Sequence, residues 1–214
     1  MQASLIAHTQ NAEQVVAQAA RVCYSPVGAQ ELGQSEAEKL IQKLLRMGHE
    51  SPLEHASFTF SVSGISRACS HQLVRHRIAS YSQRSQRYVR EDGFEFVTPP
   101  TITKQKHWFY LEAMNKLEQC YQHMINNGIP EEDARYLLPN ACKTDIVVTM
   151  NARSLRHFFR LRMCERAQWE IRELANRMLI EVKSVAPMLF QDAGPGCVSG
   201  ECPEGEYSCQ QKGV

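Results

Sequence analysis

The residues from Arg75 to Tyr88 form the segment with the clearest chemical character. They include four arginines, one histidine, three serines and two glutamines, with no aspartate or glutamate among them. Arginines this close repel one another unless an anion or a carboxylate from elsewhere neutralises them. The segment therefore predicts a solvated surface, a nucleic-acid patch or a pocket for phosphate groups, which arginine binds through paired hydrogen bonds.

Further arginines occur at Arg135 and on a predicted long helix near the C-terminus. On that helix one face carries Arg153, Arg156, His157 and Arg160, and the opposite face carries Asn151, Leu155, Phe158, Arg162 and Trp169. Cationic side chains on both faces predict contacts with two anions or two subunits. A solvated surface is the alternative for Arg156 and Arg160, whereas we expect Arg162 to be partly buried against an anionic partner.

Two histidines and two glutamates lie within the seven residues from His49 to His55. A metal site is one interpretation, but Pro52 interrupts the segment, so the histidines lack the spacing that puts ligands on one helical face. We favour a hydrogen-bonded turn or a contact to an organic ligand, and no metal.

The C-terminal tail, residues 194–214, contains Cys197, Cys202 and Cys209 among glycines and prolines. Three cysteines at these spacings bind zinc only if a fourth ligand comes from elsewhere. A flexible, reduced tail is the favoured interpretation. We therefore expect one domain over residues 1–193 followed by this tail.

Composition and missing motifs exclude several classes of function. The 214 residues carry a net charge of +1, which argues against broad nucleic-acid binding. There is no Gly-x-Ser-x-Gly elbow, Gly-x-Gly-x-x-Gly turn or Walker loop, so nucleophilic catalysis and the common nucleotide folds are disfavoured. No apolar run approaches a membrane span and no signal peptide is evident, so we expect a cytoplasmic protein.

Hydrophobic periodicity and turn signals predict a single α+β domain, with several long helices and a central, mostly antiparallel sheet. Asn11 is a candidate N-cap, Ser35 with Glu38 a candidate capping box, and Gly48 a helix stop. The predicted strands are 3–8, 56–62, 94–97 and 145–149. The predicted helices start at 11 and 35, follow Gly64 into Arg75, and cover 102–127, 131–138 and 151–185.

The arginine segment resembles the signature of flavin-dependent thymidylate synthases. Arg75-His76-Arg77, then seven residues, then Ser85-Gln86-Arg87 is similar to that family's Arg-His-Arg and Ser-x-Arg pattern. Further similar segments follow the family's order: residues 48–55, 134–139, 151–155, Leu161-Arg162 and 167–170. The resemblance covers roughly residues 48–170.

This resemblance implies reductive methylation of dUMP to dTMP. Methylenetetrahydrofolate would give the carbon, NADPH would reduce the flavin, and reduced FAD would supply the hydride. It also implies a homotetramer whose active sites are shared between subunits, with no nucleic acid and no membrane as partner.

Residue roles follow from the same resemblance. Arg162 would stabilise the ionised uracil ring, because a fixed cation lowers the cost of negative charge there. His49 would lie near the flavin and folate. The FAD contacts would be Ser51, Arg75, His76, Arg77, Gln83, Asn151, Ala152, Arg153 and His157. The dUMP contacts would be Gln72, Leu73, Val74, Arg75, Gln83, Arg84, Ser85, Gln86, Arg87, Arg135 and Arg162.

The sequence departs from the family at two places. Ser82-Gln83 replaces the Asn-Glu of some members, and Arg166 replaces a histidine. Two rival functions are a nucleic-acid-binding module, whose affinity would fall steeply with salt, and a flavoprotein that only oxidises NADPH. The separate arginines at 135 and 162 disfavour the oxidase, which needs no second anion pocket.

Overall fold

The computed structural model describes residues 1–26, 28, 32–102, 104–200 and 202–209. Residues 201 and 210–214 of the predicted tail lie outside this part. The strands are β1 Gln2–His8, β2 Ser57–Ser66, β3 Ser80–Gln83 and β4 Lys143–Asn151. The helices are α1 Ala12–Val22, α2 Gln34–Met47, α3 Arg67–Leu73, α4 Lys104–Asn126, α5 Glu131–Ala134, α6 Ala152–Arg162 and α7 Trp169–Val185. Among the described helices, none combines the length and apolarity that crossing a bilayer requires.

The four strands form one antiparallel sheet in the order β1-β2-β4-β3, which confirms the predicted α+β fold. Alternate residues of the central strands are buried because side chains on a strand point to opposite faces. Phe58 and Phe60 of β2 and Val148 of β4 are fully buried in this way. They join residues from α1, α2, α6 and α7 in the main core. Full burial of each such side chain contributes about 1.5–3 kcal/mol.

Strand β2 runs further than predicted, through Gly64 to Ser66. The pairing of β2 with β4 shifts register between Val62 and Ile65, and Gly64 takes a φ of 69° inside this irregularity. A positive φ favours glycine, so the residue that predicted a strand end instead permits a bulge. Helix α3 then begins at Arg67 and ends at Leu73, which leaves Arg75 in the following loop.

The predicted single helix over 151–185 is wrong: the chain forms two helices, α6 and α7. Residues 163–168 separate them, and the Gln168 side chain accepts hydrogen bonds from the amides of Glu170, at 2.9 Å, and Ile171, at 3.2 Å. This side-chain cap starts α7 without the proline or glycine that would have marked a break. Trp169 therefore does not share a helix with Asn151, and Arg162 ends α6.

The strand predicted before α4 is wrong. Residues 94–97 do not form a strand; among the described residues a single β-bridge pairs Phe96 with Cys142. Met114 and Tyr121 of α4 are buried, but Trp108 is 63% exposed. Helix α4 packs over a small second core that includes Phe94 and Cys142. This core does not extend to the N-terminal end of α4, where Trp108 lies.

Helix termini were predicted with mixed success. Gly48 ends α2 with a φ of 68°, as predicted. The capping box at Ser35 is wrong, because α2 begins one residue earlier and Gly33 is its N-cap. Asn11 does occupy the N-cap position of α1, but it adopts a left-handed conformation and its side chain makes no capping bond.

Candidate active site

A cleft of about 770 Å³ lies where the loop after α3 meets α6. We call it the basic cleft. Its charged and polar lining residues are Glu50, Glu54, Arg75, His76, Arg77, Asn151, Arg153, Ser154, His157, Arg160 and Arg162, with Ile78 and Leu161 as apolar neighbours. Six residues predicted to bind FAD are therefore brought together here, although they come from two segments more than 70 residues apart in sequence.

The charges of the basic cleft are unbalanced. Arg153 binds both glutamates, at 2.6 Å from Glu54 and 3.4 Å from Glu50. Among the described residues, no carboxylate lies within 4 Å of the guanidinium groups of Arg75, Arg77, Arg160 or Arg162. Five arginines against two glutamates favour an anionic ligand, and phosphate oxygens match the donor geometry of arginine.

Arg162 is held at the end of α6 by two residues from the α3 region. Its Nε donates a 2.9 Å hydrogen bond to His76 Nε2, and one terminal nitrogen donates to Gln72 Oε1 at 3.3 Å. Burial and the nearby charge of Arg75 lower the pKa of Arg162. The guanidinium still stays charged, as arginine does in proteins, and its position is fixed before any ligand arrives.

His76 is neutral at pH 7. Burial lowers its pKa to about 4, with smaller contributions from the charges of Arg162 and His157. A neutral ring leaves Nε2 with a lone pair, which the hydrogen bond from Arg162 requires. The ring of His76 also packs edge-on against Phe158, with centroids 5.0 Å apart. His76 is thus an acceptor that orients Arg162, besides lining the cleft.

These pKa values predict how stability depends on pH. The pKa of His76 is about 6.5 in the unfolded chain, the ordinary histidine value, and about 4 in the folded chain. Between these two pH values His76 is protonated in the unfolded chain and neutral in the folded chain. The free energy of unfolding must therefore fall as the pH is lowered through this window. The pKa of His157 is also lowered, first by burial and then by Arg160, and contributes in the same direction.

We expect His76→Gln to reduce this pH dependence, because glutamine can accept the bond from Arg162 without titrating. Urea unfolding of the apo-protein at several values between pH 4 and 7 measures the slope. An unchanged slope in the variant would show that His76 is not the group responsible.

A second, smaller pocket of about 260 Å³ lies at α5 and the start of α3. Arg67, His71, Gln86 and Arg135 line it, and we call it the second pocket. Gln86 is 9% exposed, and its buried Nε2 has no hydrogen-bond partner among the residues that the structure describes. A buried donor without a partner is costly, so a ligand acceptor at this point would relieve it. Two predicted dUMP contacts, Gln86 and Arg135, thus meet here and not in the basic cleft.

Two arginines of the signature already have carboxylate partners from elsewhere in the chain. Arg87 Nε lies 2.6 Å from Glu132 Oε2, and Arg84 lies 3.6 Å from Glu91 and 3.9 Å from Asp145. The sequence segment alone lacks acidic residues, but the fold supplies these three. The need for an external anion is therefore strongest at Arg75 and Arg77.

Gln83 lies on β3 with its side chain turned into the protein. Its Nε2 donates to Ser70 Oγ at 2.9 Å and to Thr144 Oγ1 at 3.2 Å. A glutamate here would reverse these bonds, since a carboxylate only accepts. The predicted ligand contact of Gln83 is therefore limited to its remaining oxygen.

The other predicted site residues are more scattered. His49 and Ser51 are exposed beside a short 3₁₀ turn, Ser51–His55, and are not among the residues that line the cleft. Ala152 and Leu73 are fully buried in the main core, whereas Val74 is 39% exposed. Ser85 Oγ accepts a hydrogen bond from the Arg87 amide at 3.1 Å.

Several lining residues were not assigned roles from the sequence, among them two glutamates, one arginine and one histidine. Glu50 and Glu54 were weighed as metal ligands, but here they neutralise Arg153. Arg67 and His71 line the second pocket because residues four apart lie on one face of a helix. That spacing was readable in the sequence, but nothing marked residues 67–71 as part of a site.

The fold and the two pockets define an α+β protein with arginine-rich pockets of the kind that bind phosphorylated ligands. The sequence model of a family described as thymidylate synthase complementing protein matches residues 4–188. A flavin-dependent thymidylate synthase from Geobacter sulfurreducens is 54% identical, over 98% of this chain and 94% of the relative. One from Clostridium tetani is 52% identical, over 96% and 91%.

Among solved structures, the UMP/dUMP methylase PolB from Streptomyces cacaoi, determined with bound 5-Br dUMP, superposes with a TM-score of 0.81. It is 27% identical, and the match covers 89% of this chain and 93% of PolB. This chain belongs to the flavin-dependent thymidylate synthase family. The family resemblance of the arginine segment is thereby confirmed.

Proposed function

We propose that this chain catalyses the reductive methylation of dUMP to dTMP, with 5,10-methylenetetrahydrofolate as the carbon donor and NADPH-reduced FAD as the hydride source. The observation that carries the proposal is the basic cleft, where Arg75-His76-Arg77 meets α6. The membership of the chain in the family supports the reaction. The arginines that lack carboxylate partners in the described part of the chain support the anionic ligands.

The basic cleft fits the pyrophosphate of FAD. Arg75 and Arg77 carry guanidinium groups without a carboxylate within 4 Å among the described residues, so their charges are available to phosphate oxygens. Asn151, Arg153 and His157 line the same cleft. When bound, FAD supplies the hydride after its reduction by NADPH. The protein's part is to hold the dinucleotide and to exclude water from it.

Arg162 is the proposed catalytic residue. Its charge is fixed by His76 and Gln72, and a preorganised cation stabilises negative charge that develops on the uracil ring during the reaction. Ser85, Gln86, Arg87 and Arg135 are proposed to hold the dUMP phosphate and sugar. Because dUMP is one small molecule, a second pocket and an Arg162 that both contact it must lie close to each other in the active enzyme.

We propose that they come together in a homotetramer in which one subunit offers the basic cleft and another the second pocket. Complementation between inactive variants tests this arrangement. We expect Arg162→Ala and Arg135→Ala each to lose most activity, and a mixture unfolded and refolded together to recover part of it, because some hybrid sites are built from two unaltered halves. A mixture as inactive as its components would place both halves on one chain.

The proposed function is tested by the visible spectrum of the purified protein during titration with dUMP. We expect flavin absorbance in the blue that dUMP perturbs at a saturable concentration, with UMP or dAMP as control nucleotides. A colourless protein that cannot be reconstituted with FAD would contradict the proposal, as would a flavin spectrum that dUMP leaves unchanged.

Arg77→Lys tests the assignment of the FAD phosphates. Lysine keeps the charge but loses the planar pair of donors, so we expect FAD affinity to fall by roughly tenfold or more. Fluorescence titration of the apo-protein with FAD measures it. Arg177→Lys is the matched control, since Arg177 pairs with Glu173 on the surface of α7, away from the basic cleft lining. Equal FAD affinity in both variants would remove Arg77 from the flavin site.

We further propose a cytoplasmic location, without a nucleic-acid or membrane partner. The division into a domain over 1–193 and a tail over 194–214 stays a prediction.

A further inference from the structure

Four cysteines line one cavity of about 560 Å³ between the α6–α7 connection and the C-terminal tail. Cys164 comes from the connection, and Cys197, Cys202 and Cys209 come from the tail. All four are free thiols. The tail sequence contains three candidate zinc ligands and lacks a fourth; in the fold Cys164 lines the same cavity as these three.

The path of the tail is held by contacts that do not involve sulfur. Arg166 lies 3.6 Å from the Glu204 carboxylate and donates a 3.0 Å hydrogen bond to the Tyr207 carbonyl. The same guanidinium stacks over the Tyr207 ring, 4.9 Å from its centroid. At Gly196 an added Cβ would lie 2.8 Å from Pro203, so the two tail turns pack closely. The cysteines are thus brought to the cavity by independent interactions.

The chemistry of the cavity suits a thiophilic cation. Zinc takes four cysteine thiolates in tetrahedral geometry, and Cys197 and Cys202 have the four-residue separation seen in structural zinc sites. Arg160 and Arg172 line the same cavity. Glu165 and Glu204 also line it, and Arg172 pairs with Glu165. Arg160 has no carboxylate within 4 Å among the described residues, so its charge offsets part of the net negative charge of zinc bound by four thiolates.

We propose that Cys164, Cys197, Cys202 and Cys209 bind one zinc ion that fastens the tail to the α6–α7 connection. Among the described residues, no three histidine, cysteine or acidic side chains already form a metal-binding group. The cysteine side chains must therefore turn into the cavity as the ion binds, a coupling of local folding to binding that is usual for structural zinc.

This site adjoins the basic cleft. Arg160 and Leu161 lie in the C-terminal turn of α6 and line both cavities. A metal that fixes the tail would therefore also restrain the helix end that carries Arg162. The metal site itself does not depend on the proposed reaction.

The test is the metal content of the full-length, flavin-loaded protein, purified with a non-thiol reductant after expression with added zinc. We expect about one zinc per chain by mass spectrometry, reduced roughly tenfold or more in Cys164→Ser and in Cys202→Ser. Cys120→Ser is the matched control, because Cys120 is an exposed cysteine on α4, and it should keep its zinc. Cys202 lies in the tail, so its variant tests the site without altering the core.

Three results would overturn the proposal. One is no zinc in the wild-type protein after incubation with zinc chloride and gel filtration. Another is full zinc content in both Cys164→Ser and Cys202→Ser. The last is a disulfide between any two of the four cysteines in peptides from reductant-purified protein. Metal content is read without turnover, so a failure here is distinguishable from a failure of the proposed reaction.

Discussion

Replacing Arg162 with alanine should leave FAD bound and lower kcat by about 10²–10³-fold, the usual effect of removing one preorganised charge stabiliser. The guanidinium is held by His76 Nε2 at 2.9 Å and by Gln72 at 3.3 Å. It is therefore already oriented when negative charge develops on the uracil ring, and no reorganisation free energy is needed. The residues proposed to hold FAD phosphates are others, Arg75 and Arg77 above all. Loss of turnover without loss of flavin is therefore the expected signature.

Steady-state kinetics with saturating folate and NADPH measure the effect, and flavin absorbance per chain measures FAD content. Arg162→Lys should recover little, because lysine cannot donate to His76 and Gln72 and also reach the ligand. Arg177→Ala serves as the control for loss of a surface arginine. A kcat of Arg162→Ala within threefold of wild type would refute the catalytic assignment.

Replacing Glu170 with alanine should destabilise the protein by about 2–4 kcal/mol, since it leaves buried donors without acceptors. Glu170 is 2% exposed at the start of α7. Its carboxylate accepts from the Ser66 amide at 2.7 Å and from the Ser66 hydroxyl at 2.5 Å. Ser66 in turn caps α3 by accepting from the Cys69 amide at 3.0 Å.

Urea unfolding at one fixed protein concentration measures the loss, because assembly makes stability depend on concentration. Glu170→Gln keeps one acceptor and should lose less. Glu173→Ala is the control: Glu173 lies in the same helix and pairs with Arg177 at the surface, a contact worth about 0.3–0.5 kcal/mol. A loss below about 1 kcal/mol in Glu170→Ala would show that the Ser66 contacts are replaceable.

The sequence was more informative about residues that belong to a local motif than about side chains whose partners are distant in sequence. Arg75-His76-Arg77 and residues 151–157 were assigned to one ligand, and the fold places both in the basic cleft. The pairing of Arg87 with Glu132 and of Arg84 with Asp145 could not be predicted, because these partners are distant in sequence. The acceptor for Ser66 was equally invisible, since Glu170 lies 104 residues away.

Errors in the fold have a similar origin. Apolar periodicity continued through residues 163–168, so the break between α6 and α7 depended on one capping side chain, Gln168. The alternating residues 94–97 predicted a strand, but their pairing is limited to one bridge, in which the Lys143 amide donates to the Glu95 carbonyl and the Val97 amide to the Ala141 carbonyl. In both cases tertiary contacts decided the outcome over local preference. The separation of the two pockets likewise follows from the fold and was not readable in the signature.

A single turnover without NADPH tests directly whether the reducing equivalents for methylation come from the flavin. The protein is loaded with FAD, reduced anaerobically, and mixed with dUMP and methylenetetrahydrofolate. We expect one dTMP per reduced flavin, oxidised flavin at the end, and tetrahydrofolate as the folate product. Formation of dihydrofolate with the flavin still reduced, or no dTMP at all, would contradict the account.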